Sequence, residues 1–277
     1  MPIAIYIIPM DHEDYALFDR KDGSSFKYAY TLQIQPEVNP DNALIVSYAD
    51  MEFKLPPKIL AKLYENVGQA HFGYAYPRPS VWQALENWVK SRYYPEMAVN
   101  TTTTIMWHSL LQAYNAALEI YTSPGDGVLF LNPSYYRLML QAECKQRKCF
   151  EVELETKDSR LYIDFAALDK AIEEKAIKLL AFINPHNPCG RIWSKEELSQ
   201  LKDILIKHKC YVFSDEIYSD AVEGEAFTSL LAFEDLHPYL IYANSYTKTF
   251  NCSGMPLCYS IVFDPDMHKK LKVHLDL

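Results

Sequence analysis

Between residues 128 and 263, short apolar runs alternate with longer stretches of helical pattern. Residues 150–154 read as a strand, 165–175 as a helix, 179–183 as a strand, a further helix starts at Ser194, and 210–213 close the run as a strand. Ser194 with Glu197 three positions on is a capping box, so that helix start is marked twice. Strands that alternate with helices dictate a mostly parallel, doubly wound sheet. Apolar runs at 128–131, 239–243 and 258–263 extend the pattern, and a short strand is expected over 104–107. Before them, Pro56-Pro57 opens a helix through 67, and Ser80 is the expected N-cap of a helix over 80–94, with Val81, Leu85, Trp88 and Val89 on one face.

In such a sheet, ligands bind beyond the carboxyl ends of the strands. Three of these ends carry chemistry. Asn184-Pro185-His186-Asn187-Pro188-Cys189-Gly190-Arg191 follows 179–183, Ser214-Asp215-Glu216-Ile217-Tyr218 overlaps and follows 210–213, and Ser245-Tyr246-Thr247-Lys248-Thr249-Phe250-Asn251 follows 239–243. An ammonium is costly to bring near a dry core, so a lysine just past a buried strand is either ion-paired or put to chemical use. The strand ends direct Asn187, Asp215 with Tyr218, and Lys248 to one crevice. Those groups suit pyridoxal phosphate: Lys248 to hold the aldehyde as a Schiff base, Asp215 to keep the pyridine nitrogen protonated, Asn187 and Tyr218 to bond the ring hydroxyl.

In that order, the three motifs make the sequence resemble the fold-type I pyridoxal-phosphate enzymes, the aspartate aminotransferase superfamily. Within it the chain is similar to the cystathionine β-lyase-like C–S lyases, the MalY/PatB type, from about residue 15 onward. The resemblance implies an α/β large domain: a mostly parallel seven-stranded sheet in a three-layer α/β/α sandwich. It implies roles for further residues. Ser109, Leu110 and Leu111 match the phosphate cup at a helix start, with serine standing where glycine is usual. Tyr135 matches the aromatic over the pyridine face. Ser245 matches the phosphate-binding serine. Tyr74, in His71-Phe72-Gly73-Tyr74, matches a tyrosine that reaches the cofactor phosphate of a partner subunit. Ala49-Asp50-Met51-Glu52-Phe53 resembles a segment of the C–S lyases at the active-site entrance. Core packing for Tyr135, a plain interface for Tyr74 and an ordinary strand and turn at 49–53 remain the alternatives. Pro256 stands where many superfamily members carry a phosphate-binding arginine, as in the C–S lyase group.

A formal charge of −9 argues against nucleic-acid and anionic-membrane partners. No apolar run reaches the roughly eighteen residues of a membrane span. The apolar residues 1–10 lack a basic start and a small-residue cleavage site, so no signal peptide is expected. The cysteines, Cys144, Cys149, Cys189, Cys210, Cys252 and Cys258, form no C-x-x-C pair and read as reduced, buried thiols of a cytoplasmic protein, with no metal site. Cys189, inside the asparagine loop, reads as a bystander.

The expected organisation is an N-terminal arm over 1–50, with turns at Asp22-Gly23 and Asn39-Pro40-Asp41, a cofactor-binding large domain over 51–263, and the start of a truncated small domain over 264–277. Family members continue past the position of Leu277 into a domain that grips the substrate carboxylate. The implied activity is C–S β-lyase cleavage of cystathionine or a cysteine S-conjugate, a small amino-acid substrate, to thiol, pyruvate and ammonia, by a homodimer when the small domain is complete. The alternatives are a class I/II aminotransferase, which Tyr218 favours because many such lyases have histidine there, and a catalytically impaired cofactor-binding fragment or regulatory module.

Overall fold

The computed structural model describes residues 17–21, 25–96, 98–222 and 227–275. The apolar start at 1–10 and the Asp22-Gly23 turn lie outside the described residues. The chain forms two compact units: Met1–Ala75 with Thr247–Met255, and Tyr76–Tyr246 with Pro256–Leu277.

The first unit holds α1 (Phe26–Ile34) and α2 (Pro57–Gly68). Proline at the start of α2 costs nothing, because its missing N–H has no partner in a first turn. α1 inverts the usual pattern: Lys27 is 4% exposed and Phe26 is 55% exposed. Its buried ammonium donates to the Asp50 carbonyl at 2.8 Å and to Glu52 Oε1 at 2.6 Å. Arg20 pairs with Asp50 as well. Residues 50–52 are therefore held by two cations.

The second unit begins with α3 (Pro79–Arg92), β1 (Thr104–Trp107), α4 (Leu110–Tyr121), β2 (Gly127–Asn132), α5 (Tyr136–Cys144) and β3 (Lys148–Glu153). A hairpin of β4 (Glu155–Lys157) and β5 (Arg160–Tyr162) precedes α6 (Phe165–Glu174), β6 (Ile177–Ile183), α7 (Lys195–His208), β7 (Tyr211–Asp215) and β8 (Leu240–Asn244). A single helical turn, α8 (Tyr246–Thr249), leads out of β8, and β9 (Cys258–Val262) and α9 (Pro265–Leu275) follow. Ser80 is not the cap of α3. The helix starts one residue earlier, on Pro79, with Arg78 at the N-cap, because proline's fixed φ is already helical.

The sheet has seven strands in the order β1-β9-β8-β7-β6-β2-β3. Neighbours from β8 through β3 pair in parallel, whereas β9 runs antiparallel to both β8 and β1. β1 therefore points the same way as the parallel strands, and the carboxyl ends of β1, β2, β6, β7 and β8 share one edge. Side chains alternate along each strand between two cores. Leu180 and Phe182 of β6 join Leu129, Leu131, Trp193 and Leu201 on one face. Leu179, Ala181 and Ile183 join Phe130, Tyr114 and Leu118 on the other. Both faces of the sheet are thus covered by helices, the three-layer α/β/α arrangement the motifs implied. Of the cysteines, Cys210, Cys252 and Cys258 are buried, but Cys144 is exposed and Cys149 and Cys189 are half-buried; all are free thiols.

Candidate active site

Asp215 ends β7 and is 4% exposed. Its Oδ1 accepts from the Ile217 N–H at 3.1 Å, which turns the chain sharply after the strand. Its carbonyl accepts from Asn184 N at 2.9 Å, locking the ends of β6 and β7 together. Tyr218 follows in that turn. Burial, then the Asp215 charge and Tyr135, push its hydroxyl up to about 12, so it stays a proton donor at neutral pH.

The loop after β6 is built on buried polar groups. Asn184 donates to the Thr228 carbonyl at 3.0 Å. His186 Nε2 lies 2.7 Å from the Pro133 carbonyl, and since a carbonyl only accepts, Nε2 carries the proton. Burial holds this imidazole below its usual range, so it stays neutral. Arg191 is 7% exposed and forks onto both oxygens of Glu197 at 2.6 and 2.7 Å, with its guanidinium 4.9 Å from the Trp193 ring. The arginine of the asparagine motif thus fastens the loop to α7. Glu197 also completes the capping box with Ser194. Gly190 sits at φ +67°, where a side chain would be strained. Asn187 remains half-buried and lines a cavity of about 320 Å³ with Pro185, Ile192, Tyr218 and Val222. The structure therefore brings Asn187 and Tyr218 to one cavity, and the Asp215 charge acts on the Tyr218 hydroxyl. The Cys189 thiol, half-buried, is pushed up by burial and is not a thiolate.

Along the same edge, Ser109 follows β1 and caps α4, its Oγ accepting from Gln112 N at 3.2 Å. The N–H groups of Leu110 and Leu111 belong to the first turn, which has no intrahelical acceptors, and the helix dipole adds positive potential there. Tyr135 follows β2, half-buried and edge-on to Tyr136 with ring centres 5.9 Å apart. Ser245 follows β8; it is 2% exposed and donates its hydroxyl to the Leu257 carbonyl. A buried carboxylate, a hydroxyl and an amide at neighbouring strand ends, with a helix N-terminus on the same edge, are groups of the kind that suit a pyridine ring bearing a hydroxyl and a phosphate.

Lys248 belongs to the other unit, with Tyr74. Lys248 is half-buried and its Nζ donates to Ser253 Oγ at 3.0 Å. Tyr74 is fully exposed. In the same unit, Asn251 bonds the backbone of Met51 and Phe53.

Sequence reasoning passed over two buried groups at these strand ends. Glu216, beside Asp215, is fully buried; its Oε1 accepts from Ser214 Oγ and Leu230 N, each at 3.0 Å, and burial pushes its carboxyl up to about 8. Asn244, the last residue of β8, is 2% exposed and bonds three neighbours. The signal for Glu216 was a second carboxylate inside the SDEIY motif; Asn244 gave none. Among the described residues, no three His, Cys, Asp or Glu side chains are arranged to hold a metal, and no helix is long and apolar enough to cross a membrane.

The family model for class I and II aminotransferases matches residues 47–273. The chain is 30% identical over 240 residues to cystathionine β-lyase PatB of Bacillus subtilis, a match covering 85% of this chain and 60% of PatB. It is 24% identical over 225 residues to protein MalY of Escherichia coli, covering 77% of this chain and 54% of MalY. The chain thus matches little more than half the length of these two relatives. Among solved structures, cystalysin from Treponema denticola, which contains a pyridoxal 5′-phosphate cofactor, superposes with a TM-score of 0.89 at 32% identity, covering 96% of this chain and 68% of that one. A C–S lyase from Staphylococcus hominis shares the fold, with a TM-score of 0.87 at 23% identity, covering 96% of this chain and 67% of that one.

Proposed function

The chain belongs to the class I and II aminotransferase family, and on that premise we propose that it is part of a pyridoxal-phosphate-dependent C–S β-lyase. The substrate is a small amino acid, cystathionine or another cysteine S-conjugate, and the products are a thiol, pyruvate and ammonia. The observation that carries this reading is that Asn187 and Tyr218 line one cavity, while the carboxylate of Asp215, buried at the end of β7, lies close enough for its charge to act on the Tyr218 hydroxyl. Likeness to cystathionine β-lyase PatB supports the lyase reading.

When bound, the cofactor's protonated pyridine ring takes up the electrons left as a proton departs the substrate α-carbon. The chain's own groups do the rest. The buried Asp215 carboxylate would keep a proton on the ring nitrogen, because an anion in a dry site is stabilised by an adjacent cation. Tyr218, protonated up to about pH 12, and the Asn187 amide would donate to the ring oxygen. The N–H groups of Leu110 and Leu111, with the hydroxyl of Ser109 and that of Ser245 once turned from the Leu257 carbonyl, would hold the phosphate. Tyr135 would cover one ring face and exclude water. The Lys248 amine would hold the aldehyde and, once displaced by substrate, move the α-proton. Tyr74 would reach the phosphate of a second subunit in a homodimer. The free thiols support a reducing, cytoplasmic setting.

Purified protein titrated with pyridoxal phosphate, followed by absorbance, tests the reading. Binding with a visible band in the wild type, abolished in Lys248→Ala, supports it; an unchanged band in that variant sinks it. Pyruvate and thiol from cystathionine without a keto-acid acceptor identify the lyase. Strict dependence on an acceptor identifies the aminotransferase, the second reading, which the family match favours. A band that answers to no amino acid identifies a cofactor-binding fragment.

A further inference from the structure

We infer that Asn251 is a positioning residue for Lys248, clamping the loop that carries it to the backbone at 51–53. The inference rests on the role proposed above for Lys248. Asn251 Oδ1 accepts from Met51 N at 2.8 Å. Its Nδ2 donates to the Met51 carbonyl at 3.1 Å and to the Phe53 carbonyl at 2.8 Å. Met51 N–H can only donate and the two carbonyls can only accept, so chemistry alone fixes which way the amide points. An aspartate of the same shape keeps the first bond but sets an oxygen against two carbonyls.

The backbone also selects asparagine. Asn251 lies at φ +54°, a left-handed conformation that glycine and asparagine adopt at least cost. The loop around it is tight: Cys252 N donates to the Thr247 carbonyl and Met255 N to the Cys252 carbonyl, each at 2.9 Å. Lys248 Nζ donates to Ser253, two residues past the clamp, at 3.0 Å. The other half of the clamp is not adrift. Lys27 holds the Asp50 carbonyl and the Glu52 carboxylate, and Phe18 N donates to the Glu52 carbonyl at 2.8 Å. Asn251 therefore fastens the lysine loop to a strip that the buried Lys27 already holds, across 200 positions of sequence. The amine's position is set by this tether as well as by its own helical turn.

The test compares wild type with Asn251→Gly, which tolerates the positive φ and deletes the amide, and Asn251→Asp, which keeps the shape and loses two bonds. The first readout needs no cofactor: amide exchange of Met51 and of 247–255. Both segments are expected to exchange about tenfold faster in Asn251→Gly, the scale expected when a small set of hydrogen bonds is lost. The second is borohydride trapping of pyridoxal phosphate on Lys248, mapped by peptide mass, with the pH midpoint of the absorbance band. Trapping is expected to fall severalfold and the midpoint to shift, more in Asn251→Asp than in Asn251→Gly. Unchanged exchange, trapping and midpoint in Asn251→Gly overturn the inference alone. Absence of trapping at Lys248 in the wild type overturns the functional reading and the inference with it. If Asn251→Asp fails to fold, Asn251→Gly and wild-type exchange decide: an unprotected Met51 N–H in wild type overturns the clamp.

Discussion

Asn244 donates its amide nitrogen to the hydroxyl of Ser219, 3.0 Å away, and so ties the end of β8 to the turn that follows Tyr218. The same nitrogen donates to the Tyr242 hydroxyl at 2.8 Å, and the amide oxygen accepts from Ser245 N at 2.6 Å. Ser219 passes its own proton to the Tyr93 hydroxyl at 2.9 Å, and Tyr93 donates to Asp220. Two strand ends and α3 are thereby held in one buried chain of hydrogen bonds.

Asn244→Ala leaves the Tyr242 hydroxyl and the Ser245 N–H without this buried partner. We expect a loss of about 2–3 kcal/mol, from groups stripped of both water and a partner. Urea unfolding checks it. A lowered midpoint with an unchanged slope is the expected result; no shift would mean that the amide's neighbours find other partners.

Glu216 makes stability fall as the pH rises. Its carboxyl, ordinarily near 4.5, is pushed up to about 8, chiefly by burial. Above its unfolded value the unfolded chain gives up the proton that the folded chain keeps. The favourable contribution is complete below about pH 4.5 and is lost as pH rises through about 8. The slope from this one group approaches 1.4 kcal/mol per pH unit at most. Glu216→Gln, neutral and nearly isosteric, should remove that slope, which urea titrations from pH 5 to 8 would show.

Glu197→Ala strands the Arg191 guanidinium, which is 7% exposed, and also breaks the capping box of α7. The expected cost is about 3 kcal/mol or more, since a buried charge without its partner is strongly unfavourable. Lys62→Ala, which removes an exposed pair on α2, should change stability by under about 0.5 kcal/mol. Thermal melts of the two variants side by side test the contrast.

Tyr218→Phe keeps the ring and deletes the hydroxyl. Cofactor affinity should fall about two- to tenfold, the range for one neutral hydrogen bond. With that hydroxyl protonated up to about pH 12, the loss should be the same at pH 7 and pH 9. A loss that grows over that interval would show that Tyr218 ionises lower than its burial dictates.

The parallel sheet was legible because its strands are short apolar runs bounded by polar turns, and the cap at Ser194 because its partner lies three residues away. Other features hid for physical reasons. The β4–β5 hairpin turns through Asp158 and Ser159, at φ +49° and +60°, without the glycine that usually marks such a turn. α1 was passed over because Lys27 is inside and Phe26 outside, so hydrophobic periodicity does not mark it. Around the site, the motifs supplied the residues at strand ends. The amides Asn244 and Asn251 bond partners that no local pattern records: Ser219 lies 25 residues from Asn244, and the partners of Asn251 lie about 200 residues upstream.

Because residues 247–255 complete the unit begun by the first 75, that unit is discontinuous in the gene. On the ribosome its early part is made first and must wait while residues 76–246 emerge, a delay on the order of ten seconds or more at ordinary elongation rates. Throughout that interval the Met51 N–H and the Met51 and Phe53 carbonyls lack the Asn251 amide that bonds them in the folded chain. Cotranslational chaperones should meet this protein early, and a circular permutant that begins at residue 247 should need them less.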